Sequence, residues 1–187
     1  MPVVLNPNVG IFVSFSTMFA IALKSVPIIV GIGVPASAIN LGFNSFASSI
    51  LISERNDNPA GSVIVASMEG TRPLLIELQA LTTPSVFGIP KRTANGIDYN
   101  RLAVLIAVIE KRAGIGLGTQ DVYLNVVSGI RIAEPAVDLG VVLACVSSYK
   151  NVSIPQDVVA IGEVGLTGEV RGVNMIEKRL SEAERLG

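Results

Sequence analysis

From Ser62 onward the apolar positions fall into short runs with two different periods. Ser62 to Met68 is dense in Val and Ile and reads as a strand. Glu69-Gly70-Thr71 reads as a tight turn, and Pro73 to Leu81 alternates in strand fashion, so the two runs form a hairpin. Thr82 to Gly96 contains two prolines and two glycines and reads as a long loop. Loops of about 15 residues without structure of their own are uncommon and often functional. Asp98 is placed to N-cap a helix through about Arg112. Leu102 to Ile109 is apolar all round, the mark of a buried helix, and Lys111 and Arg112 put cations near its negative end.

Further on, Asp121 to Val127 reads as a strand of a second sheet. Pro135 suits the first turn of another mostly apolar helix running to about Tyr149. Val158 to Ile161 and Glu169 to Val170 read as short strands around a Gly-rich turn. Asn174, with Glu177 three residues later, gives a capping-box-like start to a last helix, Met175 to Leu186. Three helices interleaved with strands, with no internal repeat, place the chain in the α+β class, as a two-layer α/β arrangement of short mixed sheets on about three helices.

The first 53 residues behave differently, because Lys24 is their one charged side chain. Three readings of this stretch stay open. A membrane span needs about 20 predominantly apolar residues, and residues 11–34 qualify only if Lys24 and Pro27 are tolerated mid-span. A secretory signal wants a basic region ahead of its apolar core, and no Lys or Arg precedes Lys24. The third reading is a disordered or aberrant leader. The expected organisation is therefore an apolar leader over residues 1–52 and a domain over 53–187.

Composition narrows the chemistry. The 187 residues suffice for one ordinary domain with a sizeable core. Fourteen basic and fifteen acidic residues give a net charge of −1, so any basic patch for nucleic acid must be local. Cys145 is the one cysteine, which excludes an internal disulfide; in its apolar surroundings a buried small side chain is expected. The absence of histidine excludes Ser-His-Asp and Cys-His catalysis, and no metal site is expected. Serine with lysine is the covalent hydrolase chemistry left open.

Three strings then carry a family resemblance: Gly61-Ser62-Val63-Ile64-Val65-Ala66-Ser67-Met68-Glu69-Gly70-Thr71-Arg72-Pro73, Gly96-Ile97-Asp98-Tyr99-Asn100-Arg101-Leu102, and Ile161-Gly162-Glu163-Val164-Gly165-Leu166-Thr167-Gly168-Glu169-Val170-Arg171-Gly172. With them, residues 53–187 resemble the C-terminal Lon-protease-like domain of the RadA (Sms) family of bacterial DNA repair proteins. That resemblance implies a Lon-proteolytic-domain-like fold. It also implies a place beside a four-cysteine zinc finger and a RecA-like ATPase, in hexameric rings that drive branch migration. This sequence has no Cys-x-x-Cys pair and no Gly-x-x-x-x-Gly-Lys-Ser/Thr loop. ATP, Mg and Zn therefore belong to family domains outside it, and no cofactor is expected in this chain. Residues 1–52 do not resemble what precedes the domain in the family, and the family continues past Gly187, so a domain incomplete at its C-terminus is expected.

Lon-type peptidases carry serine in a Gly-Pro-Ser-Ala-Gly word and lysine in a later Gly-Gly-x-Lys-x-Lys word, with helix-end amides for the oxyanion. The corresponding words here are Glu134-Pro135-Ala136-Val137-Asp138 and Asn174-Met175-Ile176-Glu177-Lys178-Arg179. Ala136 has no hydroxyl, and Glu134 and Asp138 bring negative charge. Glu177 stands at the lysine position, and Lys178, one residue on, is turned away by ~100° on a helix. No catalytic residue is expected, and a protease label would describe the fold rather than the chemistry. The alternative is a Ser-Lys peptidase using another serine such as Ser128, or a membrane-tethered fragment. The resemblance further implies contact with DNA through its phosphates. Lys91 and Arg92, side by side on a Pro/Gly-held turn, and Arg131 are the candidates; solvated loop charges, or an Arg131–Glu134 pair, are the plainer reading. Arg101 reads as a structural ion-pair partner, and Arg171 has Glu169, Glu163 and Asp98 as available partners. The expected partners are DNA, further copies of the chain in a ring, and RecA-like recombination machinery. The expected location is the cytoplasm.

Overall fold

A computed structural model describes residues 59–186 apart from Phe87 and Gln156. The 1–52 stretch, and with it any span through residues 11–34, lies outside the described residues. The elements in order are β1 (Ser62–Glu69), β2 (Arg72–Pro84), β3 (Arg92–Asn95), α1 (Tyr99–Ala113), β4 (Gln120–Val126), α2 (Asp138–Lys150), β5 (Val159–Ala160), β6 (Glu163–Val164), β7 (Val170–Arg171) and α3 (Ile176–Leu186). Five strands form one mixed sheet in the order β3-β4-β2-β1-β5, and β6 and β7 form a separate antiparallel pair. The α+β class holds. Among the described residues no helix is long and apolar enough to cross a membrane.

The β1–β2 hairpin follows from its alternation. Glu69 faces Arg72 across the turn, and Gly70 (φ 61°) takes the left-handed step that L side chains avoid. Val63 and Val65 of β1 enter the main core, whereas Ile64 and Ala66 enter a second cluster with Leu75, Ile161 and Leu180. A strand covered on both faces needs a nearly continuous apolar run, which β1 has.

α1 and α2 cover one face of the sheet, and α3 lies on the other face over β1 and β2. The Asp98 side chain caps α1 through the Arg101 amide at 2.9 Å, and Gly114 (φ 66°) ends it. Leu102, Leu105, Ile106, Val108 and Ile109 are buried, but Ala107 is exposed, so α1 is one-sided rather than buried all round. α2 approaches β1 at Gly140, where a Cβ would stand 2.1 Å from Val65 Cγ1.

Three further expectations change. The loop from Thr82 to Gly96 shrinks to residues 85–91, because β2 runs on to Pro84 and Arg92–Asn95 pairs in parallel with β4. β4 founds no second sheet; its residues Gln120 to Val126 pair directly with β2, and buried Val122, Leu124 and Val126 join the main core. The last helix starts at Ile176, and Asn174 accepts hydrogen bonds from Arg179 instead of capping it.

Candidate functional site

The two words compared with Lon-type peptidases meet in the fold. Pro135 opens a single 3-10 turn, Pro135–Val137, that leads into α2. The carbonyl of Ala136 accepts from the Gly162 amide at 2.8 Å, and the carbonyl of Gly162 accepts from the Leu139 amide at 3.1 Å. This turn is thereby strapped to the chain joining β5 and β6. Ala136 is 3% exposed, so neither its position nor its methyl group offers a reactive group to solvent.

Asp138, 1% exposed, begins α2 and is paired on its own account. Its carboxylate receives Arg101 through Nε at 2.8 Å and through Nη2, and the Val164 amide at 3.1 Å. Arg101 also donates to the Val164 carbonyl at 3.2 Å. The hydrogen bond with Asp138 raises the Arg101 guanidinium above its ordinary value against the opposing effect of burial. Arg101 is thus the structural ion-pair partner that its place early in α1 suggested.

Glu134 is held by Arg179, the largest of the fully buried side chains. Nη1 and Nη2 of Arg179 donate to Oε1 and Oε2 of Glu134 at 2.8 and 2.6 Å. Nη1 also donates to the Ala66 carbonyl at 2.6 Å, and Nε and Nη2 donate to the carbonyl and side-chain oxygen of Asn174 at 3.1 and 3.2 Å. All five N–H bonds of the guanidinium are accounted for. The Met68 amide adds a 2.6 Å bond to Glu134 Oε1. Burial would push the Glu134 carboxyl up, but the bonds from Arg179, Met68 and Ser67 together outweigh it and hold the carboxyl below its ordinary value. The negative charges expected at Glu134 and Asp138 are present, and each is neutralised by an arginine. Of the second word Arg179 is buried and Ile176 packs partly buried against the second cluster, whereas Glu177 and Lys178 are exposed. Arg179 was missed in the sequence, although an arginine beside Leu180 in the apolar stripe of α3 signals a buried acidic partner.

Ser128 sits in a 3-10 turn after β4 with a left-handed φ of 69° and is exposed. Among the described residues nothing is hydrogen-bonded to its hydroxyl. No group of three or more His, Cys, Asp or Glu residues there could hold a metal. Cys145 is wholly buried, and burial pushes its thiol up to about 12, so it remains an inert part of the core.

The three candidate DNA-contacting cations fare differently. Lys91 has an exposed side chain on a fixed backbone: its amide donates to Asp121 Oδ1 at 2.8 Å, and its carbonyl accepts from the Val122 amide at 2.9 Å. Arg92 is half-buried, and its guanidinium donates to the carbonyls of Leu117 (3.0 Å), Lys91 (3.1 Å) and Gln120. Arg131 is exposed and, among the described residues, has no ion-pair partner. The Arg131–Glu134 pair considered above does not form, because Glu134 is engaged by Arg179. Arg171 pairs with Glu169, and with Glu163 at 3.9 Å, while Asp98 is spent on capping α1.

No family model matches the chain. Over 140 residues, 75% of its length, the chain is 52% identical to the DNA repair protein RadA of Halalkalibacterium halodurans and 52% identical to that of Bacillus subtilis. It is 51% identical over 140 residues to the DNA repair protein RadA of Streptococcus pneumoniae. The chain spans about a third of the length of these curated relatives, 31% of the first and 33% of the pneumococcal protein.

Proposed function

Because three quarters of this chain is homologous to a segment of bacterial proteins named DNA repair protein RadA, we propose that it is a non-catalytic, Lon-like scaffold domain acting in DNA repair. In this reading the domain supports assembly of a hexameric ring and binding of DNA. An ATPase core outside this sequence drives branch migration, and RecA-like recombination machinery is the partner. The observation that carries the non-catalytic part is the pairing of Glu134 with Arg179. The two words that would bring a serine and a lysine together instead bring a carboxylate and a guanidinium, with Ala136 buried and Glu177 turned to solvent. A closed ion pair offers no lone pair to attack a carbonyl and no base to activate a hydroxyl. When nucleophile and base are both missing, most of the rate of such a unit is lost.

DNA contact in this reading runs through phosphates, with Lys91 and Arg131 as the free cations and Arg92 holding the turn that presents Lys91. Fluorescence anisotropy of a labelled duplex across a salt series, with oligomer mass recorded in parallel, tests it. Each phosphate contact contributes about 0.9 to the slope of log affinity against log salt. Lys91→Ala is expected to flatten that slope by about one and to leave thermal stability within about 0.5 kcal/mol of the parent. Arg92→Ala is expected to act on stability instead, because it strands the carbonyls of Leu117 and Gln120 at a cost of about 1–3 kcal/mol. Salt-independent binding, or no binding by a folded oligomer, would refute the DNA reading and leave a structural platform.

A further inference from the structure

Arg131 lies on a short segment fixed on both sides. One residue later, the Ile132 amide donates to the Gly96 carbonyl at 2.7 Å, and the Ile132 side chain is buried. Three residues later, Glu134 is clamped by Arg179 and by the Met68 amide. One residue earlier, Ile130 packs partly buried against the main core. The chain therefore has little freedom at Arg131, whose side chain alone in this segment is both cationic and exposed.

We propose that Glu134 and Arg179 are positioning residues for Arg131: the buried pair holds the segment from which Arg131 reaches a DNA phosphate. This rests on the reading that Arg131 contacts DNA. A guanidinium binds a phosphate through a directional fork, so the placement of its backbone matters more than for a point charge. A backbone ordered beforehand avoids the ordering cost at the moment of binding. The pair itself touches no DNA in this scheme, since Arg179 is wholly buried with every N–H already bonded. It acts through the three residues that separate Glu134 from Arg131.

The test is a double-mutant cycle on the full chain, made of the parent, Arg131→Ala, Glu134→Gln and the double variant. Binding to a labelled duplex is read across a salt series, and thermal unfolding is read in parallel. Arg131→Ala is expected to flatten the salt slope by about one. Glu134→Gln is expected to take away most of the same contribution in the parent background and nothing further beside Arg131→Ala. Its effect on Tm should be equal in both backgrounds, because a purely structural role would move Tm alone. Glu134→Asp, which keeps the charge, should restore part of the slope. Should Glu134→Gln fail to fold, Arg179→Lys, which keeps the charge and loses the fork, carries the same cycle. A folded Glu134→Gln with an unchanged slope, or with an equal loss in both backgrounds, overturns the positioning role while Arg131 keeps its own. An unchanged slope in Arg131→Ala overturns the DNA role of Arg131, and the positioning role with it.

Discussion

Arg179 and Glu134 form a pair whose two members are unequally buried, the guanidinium at 0% and the carboxylate at 23% side-chain exposure. Removing one partner of such a pair leaves the other stranded. Arg179→Met is expected to cost about 3 kcal/mol, the low end for a broken buried pair, because Glu134 keeps some access to water. Replacing both, with Glu134→Leu beside Arg179→Met, should recover most of that loss, as apolar substitutes for buried pairs commonly do. Chemical denaturation of the two variants measures both outcomes. The pair also gives acid a point of attack. The Glu134 carboxyl is held below its ordinary value of 4.5, so its contribution is complete above that pH and is lost as pH falls through the lowered folded value. Tm followed from pH 7 to pH 3 should therefore fall less steeply in Arg179→Met than in the parent. An identical acid limb in the two proteins would remove Glu134 from the account.

At the scale of elements, close approach can be tested at one point. α2 lies on β1 because Gly140 has no side chain, and the missing Cβ would sit 2.1 Å from Val65 Cγ1. Gly140→Ala should lower stability by about 1–3 kcal/mol through overpacking, despite the better helix propensity of alanine. A stabilised Gly140→Ala would show that helix and strand separate freely. The elements also show which signals in the sequence were readable. The hairpin and the Asp98 cap were legible because each rests on neighbours within a few residues. The membership of β4 in the main sheet was not, since alternation tells which face a residue occupies and is silent on which strand lies alongside. Thr82 and Thr83, read as loop beside Pro84, are β-branched residues whose pairing with Val122 and Asp121 extends β2. Asn174 looked like a cap, but its oxygens are taken by a guanidinium five residues later. Within the site, the structural role of Arg101 was readable from a cation near an apolar helix run. That of Arg92 was hidden, because a turn that looks exposed in sequence can be filled by its own carbonyls.

For the molecule as a whole, the two sides of the sheet are unequal in what holds them. The face under α1 and α2 carries the main core, whereas α3 sets its own Leu180 and Arg179 against a smaller cluster of Ile64, Ala66, Leu75 and Ile161. Hydrogen exchange measures opening piece by piece, and segments with fewer buried contacts open at lower free energy. The amides of α3 should exchange before those of α2 at neutral pH, and the gap should widen on acidification or in Arg179→Met. Equal protection of the two helices would contradict this ordering. The consequence is a molecule expected to come apart from one side, with α3 peeling away first and baring Ile64 and Ala66 while the opposite face still holds.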